Sequence, residues 1–317
     1  MQELTFAEAI QKGLREKMLN DDRVFIIGED IGILGGRYNV TRGLLKEFGP
    51  KRVIDIHLIE ELFLGIALGA AQGGLIPVVE FLTSNFLLLG LSDVNRLGAW
   101  KFINVGKVRL PIIIRAPYGM YHSYGPELSG DYLSVFYNIP GIQIVIPRTP
   151  EDAYNFICAS IDSKDPVLFM EHESFYSMKA EVSKKPVTLC GNSEIIQNGS
   201  DCSIISYGYT TNLARESVKL LHENVSVEIV NLITLKPLDI KTILKSVRKT
   251  GRALLIEEGR LGASVTSALA HLIREFNPKI RIAQLGARDI PLPFGPLAKL
   301  IVPSQLDISQ AVLNLMK

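Results

Sequence analysis

The stretch from 54 to 81, Ile-Asp-Ile-His-Leu-Ile-Glu-Glu-Leu-Phe-Leu-Gly-Ile-Ala-Leu-Gly-Ala-Ala-Gln-Gly-Gly-Leu-Ile-Pro-Val-Val-Glu-Phe, constrains the fold of this chain more than any other. It reads as a short buried strand over 53–58, a pair of acids, a helix and a second buried strand. Gly65, Gly69 and Gly73 recur every four residues, so they fall along one helix face. Each glycine costs roughly 1 kcal/mol of helix propensity relative to alanine. A stripe of them, with Ala67, Ala70 and Ala71 nearby, predicts that another element packs close to this backbone. Glu60 and Glu61 stand in the first turn, where the helix dipole favours acids without any catalytic role. One of the two should point back toward whatever the strand end faces. The apolar run from Leu62 to Val79 is barely long enough to span a bilayer, is broken by Gln72 and Pro77, and ends on Glu80; a membrane span is excluded.

Strand and helix alternate on either side of this stretch. Thr5 with Glu8 forms a capping-box pattern before an apolar face of Ala7, Ile10, Gly13, Leu14 and Met18. Val24-Phe-Ile-Ile-Gly, Pro111-Ile-Ile-Ile-Arg-Ala, Gln143-Ile-Val-Ile and Val167-Leu-Phe-Met are continuous apolar runs, the pattern of parallel strands buried on both faces. Residues 86–104 read as one helix and 152–160 as another. The rhythm lapses over about 173–199, which reads as a linker carrying a strand or two. It then resumes with strands near 202–207, 227–232, 253–257 and 280–285, separated by helices, and a last helix from about Leu306. The prediction is an α/β protein of two domains, 1–185 and 186–317, each an open, mostly parallel sheet with helices on both faces.

Charge excludes several functions. The 317 residues carry 34 Lys and Arg against 33 Asp and Glu, a net charge of +1, which offers nothing to nucleic acid or an anionic membrane. A mean hydropathy of +0.21 without a membrane span points to apolar surface covered by other subunits. Cys158, Cys190 and Cys202 show no metal-ligand spacing, and folded pattern begins at Leu4, so no signal or transit peptide is expected before it. A cytoplasmic location is the expectation.

Several segments resemble one family in order and spacing along essentially the whole chain. They are Gly28-Glu-Asp, Gly35-Gly-Arg-Tyr-Asn-Val-Thr-Arg-Gly-Leu, Glu60 with Gly65-Ile-Ala-Leu-Gly-Ala-Ala, Glu80-Phe, Pro140-Gly-Ile-Gln-Ile-Val-Ile-Pro, Asp165-Pro, Ile256-Glu-Glu-Gly and Arg288-Asp-Ile-Pro-Leu-Pro. The chain resembles the beta subunit of the thiamine-diphosphate-dependent decarboxylating component of 2-oxoacid dehydrogenase complexes, pyruvate and branched-chain types, within the transketolase-like group. The resemblance implies oxidative decarboxylation of a 2-oxoacid, with the acyl unit passed to a lipoyl acceptor. In that family a glutamate bound to the aminopyrimidine ring of the cofactor shifts the ring to its imino tautomer, which takes the thiazolium proton. By register this acid is Glu60, five residues before Gly65, in the apolar setting of Ile59, Leu62 and Phe63 that lets a carboxyl titrate high. Phe86 corresponds to the aromatic packed against the pyrimidine, Leu58 to a contact beside the ring, and Glu29 to a second acid tuning Glu60.

Departures from the family pattern matter as much. The diphosphate and magnesium motif, Gly-Asp-Gly followed by a later Asn, is missing, since Gly130-Asp131 continues into Tyr132. The resemblance therefore implies an alpha-type partner that holds the diphosphate and magnesium, an α2β2 assembly with the cofactor at the α–β contact, and a lipoyl acyltransferase core as a further partner. Where the family carries His-Ser-Gln this chain has Leu128-Ser-Gly, and leucine neither transfers a proton nor donates a hydrogen bond. His57 or His122 could take over, with His172, His222 and His271 structural or on the surface. Alternatively the chain serves a split transketolase-like enzyme, or is a non-catalytic paralogue. The family's potassium-site aspartate is Ser163 here, and no metal is expected on this chain.

Overall fold

The structure, a computed structural model, describes residues 2–103, 107–221 and 225–317. The chain divides into two compact units: Met1–Tyr118 with Val135–Leu189, and Gly119–Ser134 with Cys190–Lys317. Among the described residues no helix is long and apolar enough to cross a membrane.

The first unit opens with β1 (Gln2–Thr5) and α1 (Phe6–Asn20). The Thr5 hydroxyl accepts the Glu8 N–H, and the Glu8 carboxylate accepts the Thr5 N–H at 2.8 Å, closing the expected capping box. Phe6, Ala9, Ile10, Gly13, Leu14 and Met18 form the buried face, while Ala7 is only half-buried. Then follow β2 (Val24–Gly28), α2 (Leu44–Phe48), β3 (Val53–Asp55), α3 (Glu60–Gln72), β4 (Ile76–Glu80), α4 (Ser84–Leu87) and α5 (Leu91–Ile103). β5 (Ile113–Tyr118), α6 (Leu133–Tyr137), β6 (Gln143–Val145), α7 (Pro150–Ile161), β7 (Val167–His172) and β8 (Lys179–Val182) complete it. Six strands lie in the order β6-β7-β5-β4-β2-β3, every pair parallel. β2, β4, β5 and β7 are buried along their whole length, which is why their sequences run apolar without alternation. β1 and β8 pair antiparallel apart from this sheet.

Two expectations need correction here. β3 is three residues long, so 56–59 leave the sheet before α3 begins. The stretch expected as one helix over 86–104 is two helices, α4 and α5, broken at 88–90. Gly90 allows the break: a side chain there would crowd Leu64, so the turn passes close over α3. Asn104 lies outside the described residues.

The second unit contains β9 (Ser193–Gln197), β10 (Cys202–Ser206), α8 (Tyr209–Val218), β11 (Val227–Leu232), β12 (Thr234–Lys236), α9 (Ile240–Thr250), β13 (Arg252–Arg260), α10 (Val265–Phe276), β14 (Arg281–Ala287) and α11 (Gln305–Met316). Its sheet runs β14-β13-β10-β11-β9, parallel except for β9 against β11. Ile204, Ile229, Leu254 and Ile256 pack from the sheet onto Ala214 of α8 and Ile308, Val312 and Leu315 of α11. Segment 119–134 packs here too: Tyr121 Oη donates to Pro303 O at 2.8 Å and Ser123 Oγ to Pro293 O at 2.5 Å. The α/β class with two mostly parallel sheets stands as read from the apolar runs.

Candidate active site

In an open parallel sheet, ligands bind outside the carboxyl ends of the strands. β4, β2 and β3 are neighbours, and the chain leaving each of them carries an expected site residue. Glu29 follows β2 directly, His57 and Leu58 follow β3, and Phe86 sits in α4 just beyond β4. Glu60 is the first residue of α3 and is buried, whereas Glu61 is exposed; Glu60 is the acid that points inward. Oε2 of Glu29 is buried without a hydrogen-bond partner. Burial, reinforced by the charges of Asp30 and Glu60, pushes the Glu29 carboxyl above the usual carboxylate range. That mutual repulsion makes Glu29 and Glu60 electrostatic neighbours. Phe86 is half-buried, Leu58 is 54 % exposed, and His57 is exposed.

His122 lies on the second unit, exposed, its carbonyl accepting from Ser129 Oγ at 3.2 Å. Leu128 is on the same segment and 38 % exposed. His172 is fully buried, edge-on to the Tyr118 ring, and its Nδ1 accepts the Ser174 N–H at 3.1 Å, a structural role. His271 is a surface residue beside Glu275 at 3.4 Å, and His222 lies outside the described residues. Among the described residues no group of three or more His, Cys, Asp or Glu side chains is placed to hold a metal ion.

Sequence reasoning assigned no role to the network behind Glu29. Glu80, at the end of β4, accepts the Arg37 N–H at 2.9 Å on Oε1 and Arg115 Nη1 at 2.5 Å on Oε2. Arg115 turns its remaining edge to Glu171, Nε to Oε1 at 2.7 Å and Nη2 to Oε2 at 2.8 Å, and Tyr176 Oη donates to Glu171 at 2.7 Å. All four side chains are buried. Burial pushes the Glu80 carboxyl up against the pull of the Arg115 guanidinium, with the Glu171 charge adding to the push. This network ties down the loop 30–41. Asp30, Tyr38 and Asn39 take left-handed backbone conformations there, each costing on the order of 1 kcal/mol for a residue with a side chain. The Tyr38 ring stacks on Tyr176, centroids 4.0 Å apart, and the Arg37 guanidinium lies over the Tyr38 ring and donates to Glu173 at 3.2 Å. The signal in the sequence was a lone charge in each of three apolar strands.

A second group of carboxyls lies on the second unit. Asp131, Glu257 and Glu258 are all buried around Tyr207, which donates to Glu257 Oε2 at 2.7 Å and lies 3.5 Å from Asp131 Oδ2. The Glu257 side chain also accepts from Thr266 Oγ1 at 2.6 Å, Glu258 accepts the Met120 N–H at 3.2 Å, and Asp131 accepts the Leu133 N–H at 2.9 Å. Burial and the charges of Glu258 and Glu257 hold the Asp131 carboxyl well above its ordinary range. Adjacent acids closing an apolar strand were the available clue.

The outer face of α3 is open. Gly65 and Gly69 are exposed, and a methyl group at either would meet nothing within 4 Å. Leu58, Ile59, Leu62 and Ile66 surround them, 36–54 % exposed. Among the described residues none supplies the close neighbour expected over Gly65 and Gly69.

Comparison with known proteins joins these features. The family "Transketolase, pyrimidine binding domain" matches residues 2–179 and "Transketolase, C-terminal domain" matches 191–308. The chain is 35 % identical over 320 residues to the pyruvate dehydrogenase E1 component subunit beta of Rickettsia bellii, covering 98 % of each. It is 37 % identical over 312 residues to the subunit of the same name from Chlorokybus atmophyticus, covering 96 % of this chain and 93 % of that one. A solved structure described as a split gene transketolase, inactive beta4 tetramer, superposes with a TM-score of 0.77 at 21 % identity, covering 99 % and 98 % of the two chains, and so shares the fold. The chain belongs to the family of pyruvate dehydrogenase E1 beta subunits, thiamine-diphosphate-dependent components of 2-oxoacid dehydrogenases.

Proposed function

We propose that this chain binds the pyrimidine half of thiamine diphosphate with Glu60, Phe86 and Leu58, and is active only with an alpha-type partner. The observation that carries the reading is the buried Glu60 coupled to the orphaned, high-titrating carboxyl of Glu29. Such a pair suits a flat heterocycle that both donates and accepts hydrogen bonds at its edge, and the half-buried Phe86 offers it an apolar face. When bound, thiamine diphosphate would supply a carbon nucleophile for a 2-oxoacid, whose carboxyl would leave as carbon dioxide and whose remaining fragment would be oxidised to the acyl level by the disulfide of the lipoyl acceptor. Glu60 hydrogen-bonds the pyrimidine ring and holds or yields the proton there. Glu29 tunes it: keeping two acids close in a dry site favours protonation of one of them, the condition for acid–base work near neutral pH. His57 and His122 are candidates for the substrate side, where Leu128 cannot serve.

The partner holds the diphosphate and its magnesium in this reading, and docks over the open glycine face of α3 in an α2β2 assembly. The acyl unit passes to a lipoyl group on an acyltransferase core, and pyrimidine binding belongs to the domain 1–185, apart from its segment 119–134, which folds with the domain 186–317. We place the protein in the cytoplasm, where the thiols of Cys158, Cys190 and Cys202 stay reduced. Leu128 favours a second reading, a split transketolase-like enzyme delivering a two-carbon or acyl unit to an aldehyde or sugar.

Calorimetric titration of thiamine diphosphate with magnesium, on the chain alone and mixed with an alpha-type partner, tests the proposal. Binding only in the mixture is the expected result, followed by turnover of a 2-oxoacid. Tight binding by the chain alone would refute the divided site. Binding in the mixture with turnover of an aldehyde acceptor alone would select the second reading.

A further inference from the structure

The geometry points to Glu80 as the positioning residue for Glu29: by holding the loop 30–41 it keeps the Glu29 carboxyl beside Glu60. The inference rests on the role proposed above for Glu60 and Glu29. Glu80 and Gly28 are register partners across β4 and β2, so the strand end that launches Glu29 lies directly against Glu80. Gly28 is required there, because a side chain would collide with the Glu80 carbonyl. Past Glu29 the chain turns through Asp30 at φ 56°, whose carbonyl accepts the Gly36 N–H at 2.9 Å, and the returning strand of the loop ends on Glu80 through the Arg37 N–H. Gly36 has φ 69°, and a Cβ on it would fall on Glu80 Oε1, so carboxylate and backbone meet with no room between them.

The loop needs such an anchor. It holds strained residues, and it carries at its root a carboxyl whose charged form is disfavoured by burial and by the charges of Asp30 and Glu60. Left unanchored, Glu29 would swing out to water. Glu80 resists because it is itself fixed: Arg115 grips its other oxygen, and Glu171 with Tyr176 fixes Arg115 from β7 and the segment after it. The charged groups facing Glu80 are thus Arg115 and Glu171, while Arg37 meets it through its backbone N–H and turns its guanidinium to Glu173; none is a candidate to touch a ligand.

The test is carbon-13 carboxyl NMR titration of the full chain, with the Glu29 signal assigned through Glu29→Gln. Glu80→Gln keeps an acceptor for Arg37 but turns an amide toward Arg115, and Gly36→Ala pushes the loop off Glu80 while leaving the Arg115 network whole. Both variants are expected to move the Glu29 titration down toward the ordinary carboxylate range, and combining them should add no further shift. In the assembled enzyme their pH profiles of turnover should move in the same direction as that of Glu29→Gln. An unmoved Glu29 titration in both variants, with lowered thermal stability, would reduce Glu80 to a structural residue and overturn the inference. Lack of turnover in the unmodified assembly would bear on the functional reading alone, since the titration needs neither cofactor nor partner.

Discussion

Replacing Gly65 and Gly69 together by alanine separates the stability of this chain from its assembly. Both glycines lie inside α3, and neither new methyl would meet an atom within 4 Å. Each substitution should therefore yield its helix-propensity gain, about 0.8–1.0 kcal/mol, with no clash to offset it. The pair gains about 2 kcal/mol, a rise in melting temperature of roughly 4–8 °C for a unit of this size. Against a partner packed on the same face, each methyl overfills a closed contact at about 1–3 kcal/mol, so association should weaken by on the order of 10- to 100-fold per site. Thermal unfolding of the isolated chain and a calorimetric titration with the alpha-type partner measure the two effects. The reasoning predicts opposite signs. A destabilised isolated chain would mean that the face is not open, and undiminished association would mean that the partner docks elsewhere.

Three further substitutions probe other parts of the molecule. Glu60→Gln should abolish turnover while leaving assembly intact, checked by steady-state rates and size-exclusion of the mixture; retained activity would remove Glu60 from the proton path. Asp131→Asn concerns pH. The Asp131 carboxyl titrates well above its unfolded value, so the folded chain binds a proton that the unfolded chain has lost. Stability should fall as pH rises from the ordinary aspartate value toward the raised one, by up to about 1.4 kcal/mol per unit. Asn at 131 should remove that slope in urea melts between pH 5 and 8, and parallel curves for the two proteins would refute the assignment. Leu128→His, at a partly exposed position, should leave folding intact and raise 2-oxoacid turnover. Unchanged or lower turnover would assign the leucine to a different chemistry.

Much of the fold was legible because it rests on local rules. Continuous apolar runs marked β2, β4, β5 and β7 as parallel and buried, and Thr5 with Glu8 marked the start of α1. Registers across the sheet were not legible. Arg115 meets Glu80 and Glu171 only because β5 lies between β4 and β7, and nothing near Arg115 in sequence announces that order. The break between α4 and α5 was hidden for a related reason: the chain is apolar on both sides of Gly90, Phe86-Leu-Leu-Leu before it and Leu91 after it, so periodicity gives no stop, and Gly90 acquires its meaning from Leu64 far upstream. At the site, register with the family singled out Glu60 and Glu29. The orphaned oxygen of Glu29 and the acids around Asp131 are properties of burial, which one-dimensional reading cannot supply. The glycine stripe was visible as small residues on one face, yet only the fold shows that face bare.

Segment 119–134 has a consequence for how such a protein can be inherited. Its flanks belong to the first unit, but its own bonds go to Glu258, Pro293 and Pro303 in the second. No single crossover point in the gene therefore separates the two units. A recombinant that received a foreign C-terminal half would keep a native excursion shaped for the half it had lost, with Asp131 and Tyr121 facing unfamiliar neighbours. Exchange of these halves between lineages should succeed only when the sixteen-residue excursion travels with its host, so two distant stretches of coding sequence share one evolutionary fate.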